Sequence, residues 1–195
     1  MRSMHSKTRL NKPMSIVERL INVIEQGKVT SVERNQLITN IGARQMELFA
    51  QGIFAVDLQV LQSKAQELDQ ARYFFELTTS FFYLIQDFVK ADEHFSLLSF
   101  FYNTCHELLP LSQLQSKVMT LRLTHLYSLK QDSEFYSLYG SVPEALRNST
   151  DFQHLDNFVY FMQIGNHVNA VKAISCISAV HPSILSQIED NWRIE

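Results

Sequence analysis

The sequence has little glycine and little proline, with 5 Gly and 4 Pro in 195 residues, whereas the two together make up roughly 12% of average proteins. A β-sandwich or β-barrel needs a turn about every 8–12 residues and uses glycine and proline for many of them. Such folds are therefore disfavoured, and collagen-like or glycine- and proline-rich disordered classes are excluded. Hydrophobic residues make up 46% of the chain, enough for a sizeable core. We therefore expect a globular helical protein.

Charge is also scarce. Charged residues make up 19% of the chain and the net charge is −3, compared with roughly 25% charged residues in typical soluble domains. No basic stripe is visible, so the electrostatic footprint of a nucleic-acid-binding protein is absent and we predict no nucleic-acid partner. Depletion of charge is typical of the buried centre of a protein interface, although compositional drift in the lineage explains it equally well.

The chain has two cysteines, Cys105 and Cys176, and no visible signal peptide, so a disulfide framework is not expected. We predict two reduced, buried thiols in a nuclear or cytosolic protein. No apolar run approaches about 18 residues, so we predict no contact with a membrane. Residues 1–12 carry basic side chains and no acid, which weakly resembles a transit peptide. The favoured interpretation is a short flexible tail, with residues 13–195 forming one helical domain.

Apolar residues recur at helical spacing along the rest of the chain. The second predicted helix contains Gly42, for which the close approach of another helix is the expected reason. At the start of the same helix, Thr30 and Glu33 predict a capping box. The segment 53–61 fits a helix or an extended connector. The predicted helices span residues 14–26, 30–50, 63–88, 92–108, 111–131, 132–140, 151–164, 168–178 and 182–195.

Residues 73–102 are the most aromatic part of the chain, with 8 of the 14 Phe and 3 of the 7 Tyr. Apolar residues cover so much of helix 63–88 that we expect it to be buried on two sides. A ligand box or a base-stacking platform is the alternative, but stacking platforms need basic side chains, and only Arg72 and Lys90 flank this one. Core packing is therefore favoured. Short helices joined by tight turns predict an all-α fold, a right-handed α-solenoid of antiparallel helix pairs.

No catalytic motif is present. Cys105 precedes His106, and Cys176 lies five residues before His181, but one thiol per pair does not match the ligand pairs of structural zinc. Cys105 stands among aromatic residues, where a thiol has a raised pKa and low reactivity. The chain has no glycine-rich phosphate loop, no HExxH or GxSxG motif and no clustered carboxylate pair. We predict structural or exposed roles for three further histidines, His94, His125 and His154.

The lack of motifs favours a protein that is not an enzyme, with no metal, no cofactor and no small-molecule substrate. The alternative from a different class is a thiol hydrolase that uses Cys105 or Cys176 with a nearby histidine.

Four segments carry a resemblance to a known family, namely residues 71–77, 92–102, 121–144 and 157–173. In the third segment, a leucine-rich helix, a polar turn and a short helix follow one another, with matching residues at Leu126, Leu129, Glu134, Phe135 and Leu138. The segments resemble the PCI-domain lid subunits of the 26S proteasome, in particular the family of regulatory-particle non-ATPase subunit 12. Two residues depart from that pattern, Gln163 in place of Glu and His167 in place of Tyr.

The resemblance implies a scaffolding subunit that supports ubiquitin-dependent protein degradation through contacts with other lid subunits, in the cytoplasm and nucleus. Family members continue into a winged-helix module, which we expect to be missing from a chain that ends at Glu195, through truncation or loss. The nearest alternatives are PCI subunits of the signalosome or of a translation initiation factor, and then a PCI protein of messenger-RNA export. The expected interface anchor is Trp192, with Arg193 and Ile194, unless Trp192 caps the protein's own core.

Overall fold

The regular secondary structure of the described residues is helical. The computed structural model describes residues 14–55, 57–177 and 182–193, except for the side chains of residues 58, 183 and 191–193. These ranges contain no strand, so the predicted all-α class is confirmed, whereas the predicted tail lies outside them. Their helices are α1 (Ile16–Gln26), α2 (Ser31–Ala50), α3 (Leu58–Ser63), α4 (Ala65–Leu84), α5 (Phe88–Asn103), α6 (Gln115–Ser128), α7 (Asp132–Gly140), α8 (Glu144–Arg147), α9 (Thr150–Gln163), α10 (His167–Ser175) and α11 (Pro182–Arg193).

Local side-chain chemistry fixes the ends of the first two helices. The Ser15 hydroxyl accepts a hydrogen bond from the Glu18 N–H, and the Glu18 carboxylate accepts one from the Ser15 N–H, which forms a complete capping box. Gly27 ends α1 with a left-handed φ of 64°. Thr30 accepts a bond from the Glu33 N–H. The return bond from Glu33 is not among the hydrogen bonds of the described residues, so only half of the capping box predicted at Thr30 forms.

The predicted helix 63–88 is too long. Helix α4 ends at Leu84, and α5 begins at Phe88 rather than at residue 92 and ends at Asn103 rather than at residue 108. The chain reverses through Gln86, whose φ of 60° is left-handed. Glycine usually marks such a helix end, and because none stands there, the apolar periodicity hides the break.

Other boundaries shift by less. The ambiguous segment 53–61 is a turn followed by α3, and α6 is shorter at both ends than the predicted helix 111–131. Helix α7 begins at Asp132 and ends at Gly140, as predicted. The short helix α8 follows Pro143 in the predicted loop, and the Ser149 hydroxyl caps α9.

Helix α4 lies at the centre of the core. Its ten consecutive residues from Phe74 to Tyr83 are all buried, so this stretch is covered on every side, as the aromatic pattern predicts. Helices α1, α3, α5 and α6 pack against α4. Phe54, from the turn before α3, closes the cluster with ring centroids 5.3 to 5.7 Å from those of Phe75, Phe100 and Phe101. Apart from the exposed Tyr73, the aromatic residues of this region therefore belong to the core or pack against it.

Three helix pairs are joined by the same turn. The connections α4–α5, α6–α7 and α9–α10 each place one residue in the left-handed region, with φ of 60° at Gln86, 57° at Lys130 and 70° at Gly165. The next residue then donates its N–H to the carbonyl five positions earlier, at 2.8 to 3.1 Å, in the pairs Asp87–Phe82, Gln131–Leu126 and Asn166–Phe161. This is the Schellman arrangement. The same arrangement also ends α2, at Gly52 and Ile53.

Helix α4 is tied to α6 and to the loop before it through the pairs Arg72–Pro110, Glu76–Ser112 and Tyr83–His125. Helix α9 contacts both helices of the preceding pair, through Phe158–Tyr127 and Asp156–Tyr139. Helix α4 contacts α6, and α6 contacts α9, whereas α11 returns to pack against α6 and α10.

Gly42 lies in α2 and faces solvent. A Cβ built there would meet nothing within 4 Å, so the expected close approach of another helix is wrong for the part of the chain that the structure describes. Glycine inside a helix costs about 1 kcal/mol relative to alanine. No contact within the described residues accounts for that cost.

Two glycine-to-alanine substitutions are predicted to change stability in opposite directions. Gly42→Ala raises the free energy of unfolding by about 1 kcal/mol, because alanine is the better helix former. Gly165→Ala lowers it by about 1 kcal/mol, because a Cβ is strained in the left-handed region. Urea unfolding of both variants at low protein concentration measures the changes. The same sign for both would contradict the assigned backbone conformations.

Candidate protein interface

The predicted interface anchor at the end of the chain cannot be placed. Helix α11 reaches Arg193, but the side chains of Trp192 and Arg193, and the whole of Ile194, lie outside the described residues. Their role in an interface stays a prediction.

The two cysteines differ in their surroundings. Cys105 is fully buried in the core, and burial raises the pKa of its thiol. The neighbouring His106 is exposed, with Nδ1 2.8 Å from the Asn103 carbonyl oxygen. Cys176, by contrast, is exposed at the C-terminal end of α10, so the prediction that both thiols are buried is wrong for this residue. The histidine considered with it, His181, lies outside the described residues.

His94 lies inside the aromatic core. Its Nδ1 is 2.8 Å from the Thr78 hydroxyl, and its ring is 4.8 Å from that of Phe82. Burial, with help from the Lys90 charge, lowers the pKa of His94 from 6.5 to about 4. The imidazole is therefore neutral at physiological pH and acts as a packing residue, as predicted.

His125 lies in a second polar cluster, between α4, α5 and α6. Its ring stacks on Phe88 at 4.5 Å, and its Nδ1 is 3.8 Å from the Asp92 carboxylate, which also pairs with Arg122. Burial lowers the pKa of His125, and the negative charge of Asp92 acts against this shift. The imidazole is 2% exposed, so it cannot reach a substrate.

Arg72 and Glu76 form a buried polar pair on α4. Arg72 donates to the Pro110 carbonyl, while Glu76 accepts hydrogen bonds from Tyr102 at 3.0 Å and from Ser112 at 2.6 Å. Burial raises the pKa of Glu76, although the bond from Ser112 and the Arg72 charge oppose the shift. Perturbed carboxylates often mark active sites, but both oxygens of this one are occupied. The pair ties α4 to α5 and to the loop before α6.

Helix α2 has one exposed face, which the described residues cover only at its C-terminal end, where the ring of Phe49 lies 5.0 Å from that of Phe54. Its buried residues are Leu37, Ile41 and Leu48, and its main packing partner is α1. Six exposed, uncharged residues lie opposite, with alternating steps of three and four along the chain. We name them the outer face of α2, consisting of Val32, Asn35, Thr39, Gly42, Met46 and Phe49.

The outer face of α2 has the geometry of a helix-docking surface. Steps of three and four place all six residues on one side of the helix, as in the seam of a coiled coil. Val32 is 77% exposed and Met46 68% exposed, whereas the middle of the face carries only small side chains around Gly42. Small residues at a contact allow two helix axes to come close. Gly42 therefore lies at the centre of an exposed helix face, with open space above it.

In comparisons with known proteins, no family model matches the chain, and no curated protein or solved structure matches it significantly. Within the described ranges, no group of three or more His, Cys, Asp or Glu side chains is arranged to hold a metal ion. In the same part of the chain, no helix is both long enough and apolar enough to cross a bilayer.

Sequence reasoning missed the outer face of α2, although two signals pointed to it. The low overall charge suggested an interface without locating it. The steps of three and four from Val32 to Phe49 contain no charged residue, but this stripe is less apolar than the true core stripe of the helix. Only the burial of Leu37, Ile41 and Leu48 shows which side faces inward.

Thiol labelling tests the placement of the cysteines. We expect one thiol of the native protein to react with dithiobis-nitrobenzoate and both to react in denaturant, because only Cys176 is exposed. Cys176→Ser abolishes the native reaction, and Cys105→Ser leaves it unchanged. Rapid native labelling of the Cys176→Ser protein would show that Cys105 is reactive and would revive the thiol-hydrolase hypothesis.

Acid is predicted to destabilise the protein through His94. Its pKa is 6.5 when unfolded and about 4 when folded, so the unfolded chain binds an extra proton between these values. The contribution of the neutral His94 to the free energy of unfolding is therefore fully present above pH 6.5 and is lost as the pH falls toward 4. Between pH 7 and pH 5 the loss is about 2 kcal/mol. Urea unfolding at both pH values should show a smaller loss for His94→Leu. An equal loss of the free energy of unfolding in both proteins would mean that the pKa of His94 is the same in the folded and the unfolded state.

Proposed function

We propose that this protein is a structural subunit of the 26S proteasome regulatory-particle lid, acting in the cytoplasm and nucleus through contacts with other lid subunits. Two lines of reasoning support the proposal. The segments 71–77, 92–102, 121–144 and 157–173 resemble PCI lid subunits. The observation that carries the scaffolding role is the outer face of α2, an exposed helix face without charge that the described residues cover only at Phe49.

The helix pairs are proposed to stack as a right-handed α-solenoid. The similar turns after α4, α6 and α9, together with the packing of α4 on α6 and of α6 on α9, support this arrangement, since solenoids repeat one helix pair and pack each on the next. In a strict solenoid each helix pair contacts only the next pair. Helix α11 departs from this rule, because it contacts α6 as well as α10. A solenoid also explains why the outer face of α2 is open, since terminal repeats have a neighbour on one side only.

A binding role also fits the chemistry of the described residues better than catalysis. Cys105 is buried with a raised pKa, and the neutral His94 and His125 are inside the core. We therefore propose no enzymatic activity, no cofactor and no small-molecule substrate. The runner-up assignments are PCI subunits of the signalosome or of a translation initiation factor, because they share the proposed architecture. A hydrolase that uses the exposed Cys176 ranks behind both.

Affinity purification of the tagged chain from its own cells tests the assignment. We expect other proteasome lid subunits to be recovered in stoichiometric amounts. Met46→Glu, which places a charge on the outer face of α2, should reduce this recovery about tenfold, as loss of an interface anchor does. The matched control is Val89→Glu, since Val89 is 71% exposed on α5, and it should leave recovery unchanged.

The outcomes separate the assignments. Recovery of signalosome or initiation-factor subunits would move the protein to a sister complex and keep the scaffolding role. Equal recovery with both variants would remove the outer face of α2 from the proposal. Recovery of no stoichiometric partner would contradict the scaffolding role itself.

A further inference from the structure

The charged residues of α2 lie beside its buried side rather than opposite to it. At about 100° per residue, none of the four lies within about 90° of the centre of the outer face of α2. A surface helix normally carries its charge on the side opposite the core. A charged partner surface is therefore a poor match for this face, since a buried charge without a counter-charge is costly. The four residues are Glu33, Arg34, Arg44 and Glu47.

The outer face of α2 is bulky toward both ends and small in the middle. In chain order its residues are Val32, Asn35, Thr39, Gly42, Met46 and Phe49. The Thr39 hydroxyl donates to the Asn35 carbonyl at 3.0 Å, so covering this hydroxyl leaves no unpaired donor. Space above Gly42 is open. A second helix that crosses at Thr39 and Gly42 can therefore come close, while larger side chains fill the gap toward both ends.

This face is symmetrical about the midpoint between Thr39 and Gly42. The steps along the chain are three, four, three, four and three residues, which is the same sequence of steps in both directions. A two-fold interface requires a patch that fits itself. In an antiparallel pair of identical helices that cross at the midpoint, the small residues meet at the centre and the large end residues meet each other. The opposed pairs are Thr39–Gly42, Asn35–Met46 and Val32–Phe49.

The two ends of α2 differ in charge. From Lys28 to Arg34 the sequence has two bases and one acid, Glu33, next to the positive end of the helix dipole. The last turn has no basic residue, and Arg44, just before it, pairs with Glu47 at 2.8 Å. An antiparallel pair places the basic end of each helix beside the negative end of the other, whereas a parallel pair places like ends together. The charges therefore favour the antiparallel arrangement.

We propose that two copies of this chain pair through the outer face of α2, with the two helices antiparallel and crossing between Thr39 and Gly42. Residues 32–49 span about 26 Å of helix, so the interface is small and we expect a dissociation constant on the order of 10 µM. The dimer and the proposed lid contact use the same face and exclude each other. The dimer forms from the purified protein alone, so it can fail without affecting the proposed function.

Sedimentation equilibrium of the purified full chain, from about 1 µM to about 300 µM, tests the proposal. We expect the mass to rise from that of one chain, 22.6 kDa, to twice that value as the concentration passes through the dissociation constant. A monomer at every concentration would overturn the proposal. Growth beyond two chains would also overturn it, since a two-fold contact closes on itself.

Point variants locate the contact. Met46→Glu places a charge on the outer face of α2 and should weaken the dimer at least about tenfold. The matched control is Val89→Glu on α5, at a residue that is 71% exposed, and it should leave the dimer unchanged. Equal weakening by both variants would assign the dimer to another surface.

The glycine gives a test that loss of folding cannot imitate. Gly42→Leu fills the crossing point and should weaken the dimer about tenfold. Leucine is a better helix former than glycine, so the free energy of unfolding at low protein concentration should not fall. A dimer of unchanged strength would exclude a crossing at Gly42.

Cross-linking determines the direction of the two helices. Val32→Cys and Phe49→Cys are made separately in a Cys176→Ser background, and the proteins are oxidised alone or mixed with copper phenanthroline. We expect a disulfide-linked dimer only in the mixture, because the two copies of position 32 lie about 26 Å apart in the antiparallel pair. Efficient linkage of the Val32→Cys protein to itself would show a parallel pair and contradict the proposed arrangement.

Discussion

The burial of ten consecutive residues of α4, Phe74 to Tyr83, is the constraint on which the rest of the structure depends. A helix normally exposes one side to water, whereas this stretch of α4 has no exposed residue. Most of its polar side chains therefore find partners inside the protein, Tyr83 being the exception. The hydroxyls of Thr78, Thr79 and Ser80 donate to carbonyls of the preceding turn, and Glu76 accepts from Tyr102 and Ser112. Every neighbouring helix is positioned by the need to cover this stretch.

The same constraint separates the buried chemistry from the surfaces that can act. His94, His125 and Cys105 lie in the layer of residues that packs around α4. Burial lowers the pKa of the two histidines and raises the pKa of the cysteine, so the neutral form of each is favoured. Among the described residues, the accessible surface includes the outer face of α2, which carries no charge. This separation is consistent with the proposed scaffolding role.

The sequence alone predicts the helical class and the central buried helix, because the scarcity of glycine and proline and the aromatic pattern of residues 73–102 are strong signals. It places the break between α4 and α5 about four residues too late and the end of α6 three residues too late, since a side chain other than glycine occupies the left-handed position at Gln86 and at Lys130. The exposed Cys176 and the open side of Gly42 were also missed. Both depend on how whole helices pack, which periodicity within one helix cannot reveal.

The size of the native particle that contains this chain tests the central claim most directly. Sedimentation of a gentle cell extract through a glycerol gradient, followed by detection of the untagged protein, gives that size. A scaffolding subunit is predicted to migrate entirely with a large assembly that also contains lid subunits. Migration near the 22.6 kDa of the single chain, with no larger pool, would contradict the account.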